Sequence, residues 1–218
     1  MRFKPPPPPP DGPALDLVPG RVAHIGDGGD GVRRVLPTRG RRLVGGWCFA
    51  DHFGPSVSTG GGGGVGPHPH IGLQTVTWLI SGKTRHRDSL GTEQLIVSGE
   101  VNWMTAGRGI AHAEDGESAA GDEVHGVQLW VALPESARHR APMFEHVQPA
   151  VGLVDGATAT VIAGTLGDLT CPATTFSPLV GADLQLPGGR GHTLPLAASF
   201  EHALMVLDGA VVVEGARV

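Results

Sequence analysis

Apolar and polar positions alternate in short runs along this chain, and glycine or proline separates one run from the next. Alternation over about four to eight residues is the period of a strand with one buried face. Ten such runs recur at intervals of roughly 8 to 15 residues, a spacing typical of β-sandwiches and barrels. The runs are RLVGGWCF, LQTVTWLIS, EQLIVS, EVNWMTA, GVQLWVALP, ATVIAGT, TTFSPLV, ADLQLP, HALMVLDG and AVVVEG. The pattern therefore predicts an all-β protein.

Signals for helices are weak throughout the sequence. The 218 residues include 35 glycines and 19 prolines, and both residue types interrupt helices. Even the most polar stretch, from Pro134 to Pro149, contains Pro142 and has room for only a turn or two of helix. Hydrophobic residues make up 40% of the chain and charged residues 17%, which is outside the composition of disordered proteins. We therefore expect a packed core built from strands.

The polar stretch is the predicted domain boundary, and the sequences on its two sides are weakly alike. A strand, a tight turn and a return strand are predicted around Ser81-Gly82, and again around Asp208-Gly209. We therefore expect a duplicated barrel whose second copy is incomplete and has an exposed sheet edge. The predicted parts are a proline-rich arm (1–13), a first barrel domain (14–134), a linker (135–149) and a second barrel domain (150–218).

Charge, cysteine content and hydropathy limit the classes of function. The net charge of −5 argues against direct nucleic-acid binding, which depends on neutralising phosphates. Two cysteines, Cys48 and Cys171, are too few for a disulfide framework and favour a reducing compartment. No apolar run approaches the roughly 20 residues that cross a bilayer, and the N-terminal residues lack the features of a secretory signal. We expect a cytoplasmic protein without a membrane partner.

Two histidines in the segment PHPHIG are the first candidate metal ligands. His68 and His70 are two residues apart, so on a strand both side chains project from the same face. Two imidazoles on one face can converge on one ion at about 2.1 Å. Pro67 and Pro69 disfavour a helix and fit the start or edge of a strand.

A second candidate pair follows 42 residues beyond His70, in the segment GRGIAHAED. His112 and Glu114 have the same spacing of two, so a strand here directs an imidazole and a carboxylate to one side. Three imidazoles and one carboxylate suit a single divalent transition metal, and Fe(II), Mn(II), Co(II), Ni(II) and Cu(II) all remain open, with Zn(II) as a further alternative. With four protein ligands, two coordination positions of an octahedral ion remain free.

Other sequence features favour structural interpretations. The run from Gly61 to Gly66 matches a dinucleotide-binding pattern in form, but Pro67 follows it where that site needs a helix. The remaining histidines are expected to be surface or hydrogen-bonded core residues, His52, His86 and His125 included. A basic cluster is expected to be mainly solvated or structural; its members are Arg33, Arg34, Arg39, Arg41 and Arg42.

Four segments between Arg33 and Pro134 together resemble the pirin family of bicupin proteins. They are VGGWCFADHFGP, HPHIGLQTVTWLISGKTRHRDSLG, GEVNWMTAGRGIAHAE and HGVQLWVALP. The resemblance implies a double-stranded β-helix (cupin, or jelly-roll) barrel followed by a second cupin barrel without metal. It also implies one metal ion, usually iron, held by His68, His70, His112 and Glu114. These are the four residues that the spacing selects.

The sequence departs from the family pattern at two positions beside the first histidine pair. Ile71 stands where pirins commonly have arginine, and Gln74 where they have glutamate. Gln74 can still hydrogen-bond a ligand imidazole or a substrate, but it cannot act as a base. Glu114 is therefore the only carboxylate matched to the site, and it is the candidate catalytic base.

The resemblance implies two alternative functions. One is a dioxygenase that acts on a flavonol such as quercetin, with dioxygen as co-substrate; Trp103 and Met104 could then form a wall of an apolar substrate pocket. The other is a non-enzymatic regulator that acts through protein partners and senses the oxidation state of iron. In the second half, His192 and His202 are ten residues apart with no further ligand nearby, which fits a structural role.

Overall fold

The computed structural model describes residues 15–25, 31–60 and 63–218, so the predicted proline-rich arm lies outside it. Among these residues the regular structure consists of 17 strands without a helix. The prediction of an all-β protein is therefore confirmed. Within the same ranges, no helix is long and apolar enough to cross a membrane.

The largest sheet has seven strands and forms the centre of the molecule. Its strands are β1 (Arg21–Ala23), β2 (Val32–Leu36), β3 (Trp47–Val57), β5 (Leu73–Ser81), β8 (Val101–Thr105), β10 (Glu123–Ala132) and β11 (Met143–Val147). Their order is β1-β2-β3-β10-β5-β8-β11, and all pairs are antiparallel. At the β3–β10 contact, Gly54 has a φ of 76°, and a Cβ there would overlap the carbonyl oxygen of Val124. Glycine at this position lets the two strands approach.

A second sheet of four strands faces one side of the large sheet. Its strands are β4 (Gly64–His70), β6 (Lys83–Asp88), β7 (Glu93–Val97) and β9 (Ile110–Gly116), in the order β4-β9-β6-β7. The β4–β9 pairing has an irregularity between Val65 and His68, where Gly66 and Pro67 interrupt the ladder because proline lacks an N–H group. This sheet carries both candidate ligand pairs.

A third sheet covers the other side of the large sheet. It contains β12 (Ala150–Val154), β13 (Ala157–Leu166), β14 (Leu169–Thr170) and β15 (Val180–Gln185), and a separate hairpin joins β16 (Val212–Val213) to β17 (Ala216–Arg217). Apolar residues of the large sheet and of β13 form the main core, including Val76, Trp103, Val127, Val131 and Val161. Trp103 is fully buried, and its indole Nε1 donates to the carbonyl oxygen of Ile162 across this interface at 3.0 Å.

The turn predicted at Ser81-Gly82 is not a hairpin. β5 ends at Ser81 in the seven-stranded sheet, whereas β6 begins at Lys83 and pairs with β7 and β9 in the facing sheet. Gly82, with a φ of 91°, therefore lies at a corner where the chain passes from one sheet to the other. A tight-turn signal gives the change of direction but not the strand with which the next segment pairs.

The hairpin predicted at Asp208-Gly209 is also wrong, because the residues that precede it form no strand. Met205 and Leu207 instead pack against the main core as side chains. The tight turn of this region lies further on, at Glu214 and Gly215, between β16 and β17, and both residues have positive φ. The run TTFSPLV likewise forms no strand before Val180.

The predicted linker contains a strand of the large sheet. β11 pairs with β8 from Met143 opposite Thr105 to Val147 opposite Val101. The division into domains at 134 and 150 stays a prediction, with the third sheet beginning at Ala150.

Candidate metal centre

Strand β9 brings the two predicted ligand pairs side by side. It lies between β4 and β6, so His112 is paired with His68 on one side and with Asp88 on the other. His70 follows two residues after His68 on β4, and Glu114 lies opposite His86 on β6. Because residues two apart on a strand share a face, the sheet presents a compact group of imidazoles and carboxylates toward the large sheet.

Three histidine Nε2 atoms converge at this point. His112 Nε2 lies 3.0 Å from His68 Nε2 and 3.1 Å from His70 Nε2. With metal–nitrogen bonds of about 2.1 Å, adjacent ligands of an octahedral ion are about 3.0 Å apart. The spacing of the three nitrogens therefore fits a shared divalent ion.

The hydrogen bonds of His68 support the same interpretation. Its Nδ1 lies 2.8 Å from the carbonyl oxygen of Gly66, which can only accept, so the neutral ring carries its proton on Nδ1. Its Nε2 then presents a lone pair toward the Nε2 of His112. Lone pairs that converge at this distance repel each other unless a proton or a cation lies between them.

Two of these imidazoles are held in the neutral form that a metal requires. Burial, followed by the repulsion of His68, lowers the pKa of His70 to about 4. Burial, followed by repulsion from His68, His70 and His86, lowers the pKa of His112 to about 3. Metal ligation needs the unprotonated imidazole, so at neutral pH both rings are ready to donate a lone pair.

Glu114 belongs to an adjoining group rather than to the three-histidine cluster. Its carboxylate lies within 4.8 Å of donor atoms of His112 and His86, and Thr77 Oγ1 is 3.3 Å from its Oε1. Burial raises the pKa of Glu114, against opposing effects of His68 and of the Thr77 hydrogen bond. The structure therefore brings the three predicted histidines together and places Glu114 beside His112. The assignment of all four as ligands stays a prediction.

His86, which the sequence interpretation left among the structural residues, forms a buried pair with Asp88 behind His112. His86 Nε2 lies 3.1 Å from Asp88 Oδ2, and their side chains are 3% and 0% exposed. Burial lowers the pKa of His86, although the hydrogen bond with Asp88 opposes this effect. The pattern HxD on β6 has the same spacing as HxH and HxE, and this repeated spacing was the available signal.

Aromatic side chains flank the histidines, but they are not those that the sequence suggested. Trp130 contacts His70 edge to face, with ring centroids 4.9 Å apart, and Phe49 stacks on Trp130 at 3.9 Å. Trp103 instead belongs to the core on the opposite face of the sheet, so the suggested pocket wall is wrong for this residue. Met104 is buried in a small cluster with Ile110 and Phe144.

The hydrogen bonds of Gln74 go to residues other than the predicted ligand histidines. Gln74 is fully buried, and its Nε2 donates to Thr105 Oγ1 at 2.9 Å and to the carbonyl oxygen of Thr174 at 3.0 Å. Thr174 belongs to the segment between β14 and β15. Gln74, where the sequence departs from the family pattern, therefore connects the large sheet to the second half of the chain.

Parts of the basic cluster and the histidines of the second half have local partners. Arg34 makes two hydrogen bonds of 2.7 Å to the buried carboxylate of Asp51. His192 bonds the carbonyl oxygens of Asp155 and Pro187, and His202 bonds that of Ala197. Among the described residues, the groups of at least three close metal-donor side chains all contain His112.

Two facing sheets with three imidazoles between them define a cupin-type barrel with a candidate metal centre. The family model described as Pirin matches residues 29–131. A pirin-like protein of Caulobacter vibrioides is 39% identical over 193 residues, which are 84% of this chain and 67% of that protein. The chain belongs to the pirin family.

Two further relatives bear names that refer to an activity. A Pseudomonas aeruginosa protein provisionally named as a quercetin 2,3-dioxygenase is 47% identical over 205 residues, 92% of this chain and 64% of its own length. The crystal structure of quercetin 2,3-dioxygenase from Acinetobacter baumannii has a TM-score of 0.72 and 48% identity, covering 76% of this chain and 56% of that one. The chain thus spans less than two thirds of the length of each. The histidine cluster and these relatives together imply a divalent metal ion.

Proposed function

We propose that this chain carries the metal site of a dioxygenase that acts on a flavonol such as quercetin. In this proposal the ion is Fe(II), and its ligands are His68, His70, His112 and Glu114. The observation that supports it most directly is the convergence of three histidine Nε2 atoms at 3.0 and 3.1 Å. The names of two relatives near 48% identity support the substrate class.

Glu114 is the proposed base in the reaction. Burial raises the pKa of the Glu114 carboxyl group before an ion binds, and this carboxylate lies beside His112, where a general base would act. Glu114 would take the proton of the flavonol 3-hydroxyl group onto its carboxylate, while the Thr77 hydroxyl group, 3.3 Å from its Oε1, helps to hold its position. When bound, the divalent ion supplies a positive charge that stabilises the resulting oxyanion.

The surroundings of the histidines suit an aromatic substrate. The stacked pair of Phe49 and Trp130 lies directly beside His70, and aromatic rings favour offset or edge contacts with other rings. His68 is the more exposed member of the cluster, whereas His70 and His112 are 8% and 3% exposed. The substrate would therefore approach from the side of His68.

Oxygen consumption by the metal-loaded chain tests the proposal. We expect protein loaded with Fe(II), Ni(II) or Co(II) to take up dioxygen when quercetin is added. Replacing Glu114 with glutamine should lower the rate about 100-fold at equal metal content, since loss of a general base typically costs 100-fold or more. An oxygen electrode gives the rate, and elemental analysis gives the metal content of each sample.

Glu117→Gln is the matched control for this experiment. Glu117 lies three residues beyond Glu114 and bonds Arg85 on the surface at 2.6 Å, so the same chemical change there should leave the rate within about twofold. Absence of oxygen uptake with every metal would contradict the proposed activity. Equal losses in the two variants would contradict the role of Glu114.

A further inference from the structure

A continuous chain of hydrogen bonds connects Asp88 to the ring of His112. Asp88 Oδ1 accepts hydrogen bonds from the backbone N–H groups of Leu90 and Thr92, at 2.8 and 3.1 Å. Asp88 Oδ2 faces His86 Nε2 at 3.1 Å, and His86 Nδ1 faces His112 Nδ1 at 3.3 Å. The far nitrogen of His112, its Nε2, points at His68 and His70.

Surrounding contacts hold this chain of side chains in place. The His86 ring stacks on Phe144, with centroids 4.5 Å apart and planes 24° apart. Asp88 and His112 are directly paired on neighbouring strands. The His86 and Asp88 side chains are almost completely buried, so water does not compete strongly for these hydrogen bonds.

The chemistry of the groups fixes where each proton lies. An ionised carboxylate can only accept a hydrogen bond, so a neutral His86 ring must carry its proton on Nε2. Its Nδ1 is then an acceptor, and His112 must supply the proton of the next bond from its own Nδ1. That tautomer leaves His112 Nε2 unprotonated, with its lone pair directed at the other two histidines.

We propose that Asp88 and His86 are positioning residues that set the tautomer of His112 and so prepare its Nε2 to bind the metal. The proposal rests on the metal site proposed above, but the tautomer is set in the protein before any ion binds. Replacing a residue that hydrogen-bonds a metal ligand without touching the ion typically lowers metal affinity by about 10- to 100-fold. His86 and Asp88 touch neither substrate nor ion in this role.

Asp88→Asn is a specific test because the backbone fixes the orientation of the new side chain. The two N–H groups of Leu90 and Thr92 require an acceptor, so the asparagine oxygen takes the place of Oδ1 and its NH₂ group faces His86. His86 Nε2 must then accept, and its proton moves to Nδ1. His112 Nδ1 becomes the acceptor, which leaves the proton of His112 on Nε2, where it obstructs metal binding.

The first measurement is the tautomer itself, read from nitrogen-15 NMR of the imidazoles in the metal-free full chain. The His112 signals are assigned by their absence in His112→Gln. We expect His112 to be protonated on Nδ1 in the unmodified protein and on Nε2 in Asp88→Asn. A proton on Nε2 in the unmodified protein would overturn the proposal without any need for the Asp88 variant to fold.

The second measurement separates the tautomer from the loss of a negative charge. Co(II) affinity is determined by competition with a chromophoric chelator in Asp88→Asn, in His86→Phe and in the double variant. Phenylalanine keeps an aromatic ring against Phe144. It has no ring nitrogen, so residue 88 can no longer determine the tautomer of His112 through it. We expect Asp88→Asn alone to weaken Co(II) binding about 10- to 100-fold, and to weaken it less than threefold when His86→Phe is already present.

The outcomes distinguish this proposal from the metal site itself. Asp88→Asn could lower Co(II) affinity equally in the unmodified protein and in the His86→Phe variant. Its effect would then come from the lost negative charge, and the proposed role of His86 would be wrong. If the unmodified chain does not bind Co(II), Fe(II) or Ni(II), the metal site fails while the NMR result still tests the tautomer. An unchanged His112 tautomer in folded Asp88→Asn would likewise overturn the proposal.

Discussion

Replacing His112 with alanine is expected to abolish stoichiometric metal binding. His112 is the central residue of the cluster, because its Nε2 is within 3.1 Å of both other imidazoles and it belongs to both groups of donor side chains. Its loss leaves His68 and His70 on one strand and separates them from Glu114. We expect Co(II) affinity to fall more than about 100-fold, which exceeds the usual effect of replacing a residue that only hydrogen-bonds a ligand. Chelator competition and the metal content after dialysis measure this loss.

His52→Ala is the matched control for that substitution. His52 is also hydrogen-bonded to a histidine, with its Nε2 2.8 Å from His125 Nε2, but it belongs to neither group of donor residues. Its removal should leave Co(II) affinity within about twofold of the unmodified protein. Retention of stoichiometric binding in His112→Ala, or an equal loss in His52→Ala, would show that the ion is held elsewhere.

The grouping of the candidate residues could be predicted from the sequence because each predicted ligand pair lies within one strand. A separation of two places His68 and His70 on a common face of β4, and His112 and Glu114 on a common face of β9, whatever the rest of the fold. The pairing of β4 with β9 is a long-range contact, which the spacing alone does not give. The resemblance to the pirins implied only that the two pairs hold one ion, and the observed register sets His68 directly opposite His112.

His86 and Asp88 show where the same reasoning stops. Their spacing of two is as regular as that of the predicted ligands, but their contact with His112 depends on β6 lying next to β9. Ser81-Gly82 suggested a hairpin, which would have placed β6 beside β5 instead. The Ser81-Gly82 signal predicts a change of direction in both arrangements, so only the non-local pairing decides whether His86 reaches His112.

The alternation of side-chain directions along a strand is broken at the points where the chain passes from one sheet to another. His70 and Gln74 are four residues apart, which on one continuous strand would place them on the same face. Gly72, with a φ of 70°, separates β4 from β5, and Gln74 points toward Thr174 instead of the histidines. Trp103 was misplaced for a related reason: all five residues of β8 are buried, so its hydrophobic pattern does not distinguish one face from the other.

Replacing Trp103 with alanine is expected to cause the largest loss of stability among these substitutions. Its side chain is fully buried between the seven-stranded sheet and β13, where it packs in the main core and donates to the carbonyl oxygen of Ile162. Removal of a buried tryptophan leaves a large cavity and typically costs about 3–5 kcal/mol. Chemical denaturation followed by far-ultraviolet circular dichroism measures the change in the free energy of unfolding.

Two further variants test the cause of that loss. Trp103→Phe keeps much of the apolar volume but removes the indole donor, so its cost should lie clearly below that of alanine. Leu153→Ala removes an apolar side chain that is 75% exposed on β12, and surface changes of this kind usually stay within about 0.5 kcal/mol. If Trp103→Ala lowers the free energy of unfolding no more than Leu153→Ala does, the interface between the large sheet and β13 contributes less to stability than its packing indicates.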